Sequence, residues 1–112
     1  ARPEPFMVYK NLDILGISPI QSVVKVDDTI GGVGEGLAAG CWTIGLSRFS
    51  NYMDVDSLEH ERRLSMEELD ERNKKSRNML QKAGAHYVVD TIADVPAVVE
   101  HINKQLRLGI MP

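Results

Sequence analysis

The chain has 112 residues, 43% of them hydrophobic, and a net charge of -3, enough for one small core and without the basic footprint of a nucleic-acid binder. No apolar run approaches the roughly 18 residues needed to span a bilayer. A single cysteine, Cys41, cannot close an internal disulfide and suits a reducing compartment such as the cytoplasm.

The opening Ala1-Arg2-Pro3-Glu4-Pro5 lacks an initiator Met and reads as the interior of a longer protein, entered at a loop. Pro5 suits the first turn of a helix, and Phe6, Tyr9, Leu12 and Leu15 follow at helical spacing up to Gly16, a natural C-cap. Residues 17–20 lead into Val23-Val24-Lys25-Val26, a β-branched run that reads as a buried strand and stops at two adjacent carboxylates, Asp27 and Asp28. Glycines 31, 32, 34 and 36 follow, and the pattern predicts a short, intrinsically weak helix from about Val33 to Ala39, with a small face (Gly36, Ala39, Gly40) lying close to a sheet. A second strand runs from Trp42 to near Ser47.

From Arg48 to Leu64 the pattern breaks. Ser50-Asn51-Tyr52-Met53-Asp54 reads as a surface loop, followed by a short charged helix from about Ser57 to Arg63. Ser65-Met66-Glu67-Glu68 is a capping box that opens a helix to Ala83, with Met66, Leu69, Met79 and Leu80 on or near one side and Gly84 as its cap. The charged remainder, Glu67, Glu68, Asp70, Glu71, Arg72, Lys74, Lys75 and Arg77, reads as a solvated face. Ala85 to Asp90 is a third strand, and Thr91 with Asp94 caps a final amphipathic helix carrying Val95, Val98, Val99, Ile102 and Leu106. Strands alternating with helices argue for a parallel three-stranded sheet with right-handed crossovers. So thin a sheet leaves an edge exposed, which suggests missing partner strands.

Ligands of such sheets bind outside the carboxyl ends of the strands, where Asp27 and Asp28 sit. Two carboxylates there repel one another and are costly to desolvate unless a cation or N–H donors compensate. The residues leave two roles open: oxygen ligands for Mg²⁺, which keeps several waters and tends to bind phosphate as well, or one aspartate capping the following helix while the other is solvated. Gly34-Glu35-Gly36-Leu37-Ala38-Ala39 matches a permissive dinucleotide fingerprint. That reading fails, because the glycines begin several residues after the strand and both acids would face a pyrophosphate.

Four stretches, Arg2-Pro3-Glu4-Pro5-Phe6-Met7-Val8-Tyr9-Lys10-Asn11, Lys25-Val26-Asp27-Asp28-Thr29, Glu35-Gly36-Leu37-Ala38-Ala39-Gly40-Cys41-Trp42-Thr43-Ile44-Gly45 and Ala83-Gly84-Ala85-His86-Tyr87, carry a resemblance. In order, they resemble the C-terminal part of the phosphonoacetaldehyde hydrolase (phosphonatase) family of the haloacid dehalogenase superfamily. The resemblance implies a Rossmann-like three-layer α/β sandwich, with residues 1–112 a C-terminal portion of the hydrolase core domain holding about three parallel strands. It implies hydrolysis of the C–P bond of phosphonoacetaldehyde to acetaldehyde and phosphate, with Mg²⁺, through an aspartyl-phosphate and a lysine Schiff base. The nucleophile strand and the cap domain with that lysine lie outside these residues, so the chain alone is expected to be inactive.

On the same resemblance Asp28 holds Mg²⁺ directly or through water, and Arg2 steadies the phosphoryl group and the nucleophile. An arginine fork and a divalent cation are the positive charge that phosphoryl transfer needs. The superfamily often carries a second acid four residues after the first; Gly32 stands there in this chain, and Asp27 stands where many relatives have glycine. Either aspartate is therefore a candidate for the metal contact. Thr29 is placed to donate its hydroxyl to Asp28 or to phosphate, or to hold the turn.

Lys25 also matches the family, with its stem expected to lie buried along the sheet. Cys41, with no charged neighbour in sequence, reads as an inert core thiol. His60, His86 and His101 have no metal-ligand spacing, and His86 reads as fixing a strand end. The expected partners are a small phosphonate substrate, the remainder of a parent chain and a second copy in a homodimer, with neither nucleic acid nor membrane. A non-catalytic, partner-binding α/β module, or a phosphatase of the same superfamily, is the alternative.

Overall fold

Three short strands, β1 (Val24–Asp27), β2 (Trp42–Leu46) and β3 (Tyr87–Val89), pair in parallel in the order β1-β2-β3 in the computed structural model, which describes residues 4–112. Side chains alternate across a strand, so the sheet has two distinct faces. Val24, Val26, Trp42, Ile44, Tyr87 and Val89 meet Val95, Val98, Ile102 and Leu106 of the last helix, α5 (Val95–Arg107). The opposite face carries Lys25, Thr43 and Gly45 and is covered by α2 (Ile30–Ala39) and α4 (Met66–Lys82). The result is the three-layer α/β arrangement that the alternation of elements predicts.

Two glycines set how closely this second layer lies. A Cβ on Gly36 would stand 2.6 Å from Thr43 Oγ1 and 3.2 Å from the Lys25 stem, and one on Gly45 would stand 3.2 Å from Leu80 Cβ. Before the sheet, α1 (Phe6–Leu15) starts after Pro5 and ends at Gly16 in the left-handed region at φ 66°, as its sequence predicts. It packs Val8 and Leu12 against Ala39, Cys41, Ile20 and Val23.

Several expectations need correction. Helix α2 begins at Ile30 rather than near Val33, because the Thr29 side chain accepts from the Gly32 N–H and so draws Gly31 and Gly32 into the first turn. The stretch 50–54 is not simply a surface loop: Asn51 and Asp54 are exposed, but Asn51–Met53 forms a single 3₁₀ turn, Ser50 is buried, and Met53 is 1% exposed. Arg72 clamps that turn by donating to the carbonyls of Met53 at 3.0 Å and Asp54 at 2.5 Å. The charged face of α4 is therefore not merely solvated, since Arg72 and Arg77 both reach back to the protein. Met66 is 81% exposed at the start of α4, whereas Ser76 and Leu80 form its buried stripe. Ser57 caps the short α3 (Leu58–Arg63), close to where the charge pattern places it.

Candidate functional site

The parallel register aligns the carboxyl ends of all three strands. There Asp28, Leu46, Phe49, Asp90, Thr91 and Ile92 line a crevice of about 210 Å³. Asp28 follows the last residue of β1 and is exposed. The turn that carries it is secured from the loop after β2: the Ser50 hydroxyl donates to the Asp28 carbonyl at 2.7 Å, and two residues on the Ile30 N–H donates to Tyr52 Oη at 2.8 Å. The sequence pattern places Ser50 and Tyr52 in a surface loop, because nothing in a loop's spacing shows that it folds back onto another strand tip. Among the described residues, none donates a hydrogen bond to the Asp28 carboxylate.

Asp27 is placed differently. Its Oδ2 lies 2.7 Å from Lys25 Nζ, and its Oδ1 accepts from the Thr29 N–H at 2.9 Å and the Thr29 hydroxyl at 2.8 Å. Burial acts to raise its pKa, but the bonds from Lys25 and Thr29 and the Lys25 charge outweigh it and hold the carboxyl below the ordinary aspartate range. The Thr29 hydroxyl thus goes to Asp27 rather than to Asp28, while its oxygen accepts from Gly32 N–H at 2.9 Å. Lys25 does more than bury its stem. Arg2 lies outside the described residues.

A second acid closes the other side of the crevice. Asp90 Oδ1 accepts from Asn73 Nδ2 at 3.0 Å, Arg77 Nη1 at 2.9 Å and Ser47 Oγ at 3.3 Å. The Asn73 bond leads in lowering its pKa, and those from Arg77 and Ser47 add to it against partial burial. His86 holds a strand end, with its ring Nδ1 accepting from the Thr43 N–H at 3.0 Å and its backbone N–H donating to Thr43 O at 2.9 Å. Burial lowers its pKa, which favours the neutral ring that this acceptor role requires. Cys41 is 1% exposed, and burial pushes its thiol up, against a smaller opposing pull from the Lys25 charge; it is a core thiol.

Among the described residues no three His, Cys, Asp or Glu side chains converge as a metal site. A cation here would depend on Asp28 together with water and phosphoryl oxygens. Hard oxygen donors in so sparse a protein set suit Mg²⁺.

No family model matches the chain. Over 111 residues it is 41% identical to the phosphonoacetaldehyde hydrolases of Salmonella newport and Salmonella typhi, a match covering 99% of this chain and 41% of each relative. It is related to the C-terminal part of phosphonoacetaldehyde hydrolase. This phosphonatase-related chain spans less than half the length of those relatives. A phosphonoacetaldehyde hydrolase-like protein of Oleispira antarctica superposes with a TM-score of 0.93 at 38% identity, over all of this chain and 40% of that one. A haloacid dehalogenase-like protein of unknown function from Agrobacterium tumefaciens superposes with a TM-score of 0.64 at 25% identity, over 92% of this chain and 37% of that one. The fold is a C-terminal portion of the haloacid dehalogenase α/β domain. No helix among the described residues is long and apolar enough to cross a membrane.

Proposed function

We propose that the chain is the C-terminal portion of the core domain of a hydrolase that cleaves the C–P bond of phosphonoacetaldehyde to acetaldehyde and phosphate. The observation that carries this reading is the position of Asp28: an exposed carboxylate at the strand-tip crevice, on a chain 41% identical along its length to enzymes of that name. In this reading Asp28 holds Mg²⁺ directly or through water. The ion, when bound, supplies positive charge against the phosphoryl oxygens. Asp27 braces the turn from behind through Lys25 and Thr29. Arg2 steadies the phosphoryl group with a planar fork. The nucleophilic aspartate and the imine-forming lysine come from the rest of the intact protein.

The intact protein, given phosphonoacetaldehyde, is expected to release acetaldehyde and phosphate in equal amounts, to stop on chelation of Mg²⁺, and to be inactivated by borohydride only when substrate is present. The isolated 112-residue chain releases neither product. Mg²⁺-dependent turnover of a phosphate monoester with none of the phosphonate moves the assignment to a phosphatase. No release from either substrate leaves a non-catalytic module.

A further inference from the structure

Lys25 carries a charge for which the proposed reaction has no use, yet its side chain is only 16% exposed and its ammonium lies 2.7 Å from Asp27 Oδ2. Its stem runs straight beneath α2 because Gly36 has no side chain there; a Cβ on Gly36 would stand 3.2 Å from Lys25 Cβ and Cδ. From the ammonium one polar chain continues through Asp27 to the Thr29 N–H and hydroxyl, and from the Thr29 oxygen to the Gly32 N–H. It therefore runs from mid-strand into the first turn of α2 and brackets Asp28 without using the Asp28 carboxylate. The Asp27 carboxylate also fills the space in which a side chain at position 32 would begin: a Cβ on Gly32 would overlap its Cγ and both oxygens.

We propose that Lys25 is a positioning residue which, through Asp27 and Thr29, fixes the turn that presents Asp28 to the crevice, and that the Asp27 carboxylate makes position 32 open only to glycine. The purpose of presenting Asp28 rests on the function proposed above, whereas the exclusion at position 32 is independent of it. The strand residue and the helix residue are alternatives for one volume. An acid can stand in that volume from Asp27 or from position 32, and not from both.

The test uses the intact protein, with Mn²⁺ binding followed by electron paramagnetic resonance, kcat and KM for phosphonoacetaldehyde, and Tm. Lys25→Met and Asp27→Asn should each lower kcat and weaken Mn²⁺ binding by about tenfold, with KM changed by less than about twofold. In the Asp27→Asn background, Lys25→Met should add less than about twofold, because both act through one contact. Independent, multiplying effects would overturn the positioning role, as would a Lys25→Met protein with unchanged kcat and Mn²⁺ affinity.

For position 32, Gly32→Ala should lower Tm by roughly 5 °C or more. In the Asp27→Gly background the same change should cost little; an equal loss in both backgrounds sinks the exclusion. If the unmodified protein binds Mn²⁺ but does not turn over phosphonoacetaldehyde, the proposed function falls while the Mn²⁺ and Tm results still decide the role of Lys25. If it binds no Mn²⁺, both fall together, and the position 32 result stands by itself.

Discussion

Val26-Asp27-Asp28-Thr29-Ile30 closes β1 and Val88-Val89-Asp90-Thr91-Ile92 closes β3, so over five residues the two strand tips differ only where Asp27 stands against Val89. Their acids nevertheless have different surroundings. Asp90 is held by Asn73 and Arg77 of α4 and by Ser47, whereas among the described residues Asp28 is approached only through its backbone, by Ser50. An Asp-Thr at a strand end therefore does not declare its own role. What decides it is which element passes beside the tip and whether that element brings donors. Helix α4 brings an amide and a guanidinium to β3, while the loop after β2 brings a hydroxyl that reaches no further than the Asp28 carbonyl.

The sharpest way to break this contrast is to neutralise each acid in turn. Asp28→Asn in the intact protein should cost roughly 100-fold or more in kcat, about 2.7 kcal/mol of transition-state stabilisation, with Tm nearly unchanged. Asp90→Asn should keep most of the activity; a larger activity loss at position 90 than at 28 would reverse the assignment. The stability effects should run the other way. Asp90→Asn weakens three bonds to a half-exposed carboxylate and should cost about 1 kcal/mol in urea unfolding, and Arg77→Met, which loses one of these bonds and the one to the Val88 carbonyl at 3.0 Å, should cost a similar amount.

Thr29→Val separates the two functions at one residue. It removes the cap on Gly32 and a bond to Asp27, so it should cost about 1 kcal/mol of stability and, unlike Asp90→Asn, should also lower activity. The smallest effects are those of pH. Because the Asp90 pKa is depressed in the folded state, its contribution is complete above the unfolded value near 3.8 and is lost as pH falls through the folded one; Asp90→Asn should flatten that acid limb. His86 acts at higher pH. Its folded pKa lies below 6.5, so the unfolded chain takes up the proton first, and stability should fall as pH drops below about 6.5. His86→Gln should remove this step from a plot of Tm against pH.

The element types and their order were legible in the residues, because the β-branched runs, the Gly16 cap and the Ser65 cap are local signals. The start of α2 was not. Four glycines argue against a helix by propensity, and only the Thr29 cap with the Asp27 carboxylate above Gly32 shows why helix begins among them. The buried Met53 and the inward Arg72 depend on a contact between the loop and α4, more than fifteen residues apart in sequence, which no periodicity records. At the site, the acidic pair was visible as a pair. The division of labour between Asp27 and Asp28 was not, because it turns on Lys25 pointing to the α2 side of the sheet and reaching the neighbouring carboxylate.

The segment joining β2 to α3 is tied to the β1 tip and to α4 along its first part, whereas further on the Asp56 N–H donates to His60 Nδ1 and the Ser57 hydroxyl accepts from the His60 N–H of α3 itself. Ser50, Tyr52 and Met53 tie it to the β1 tip and to α4 as far as Asp54, while Asp56 and Ser57 beyond it are exposed. Added length should therefore be absorbed on one side of Asp54 and resisted on the other. An epitope or fluorophore spliced in just after Val55 would ride on the molecule as a harmless flag, whereas the same splice before Tyr52 would pull on the backbone that carries Asp28.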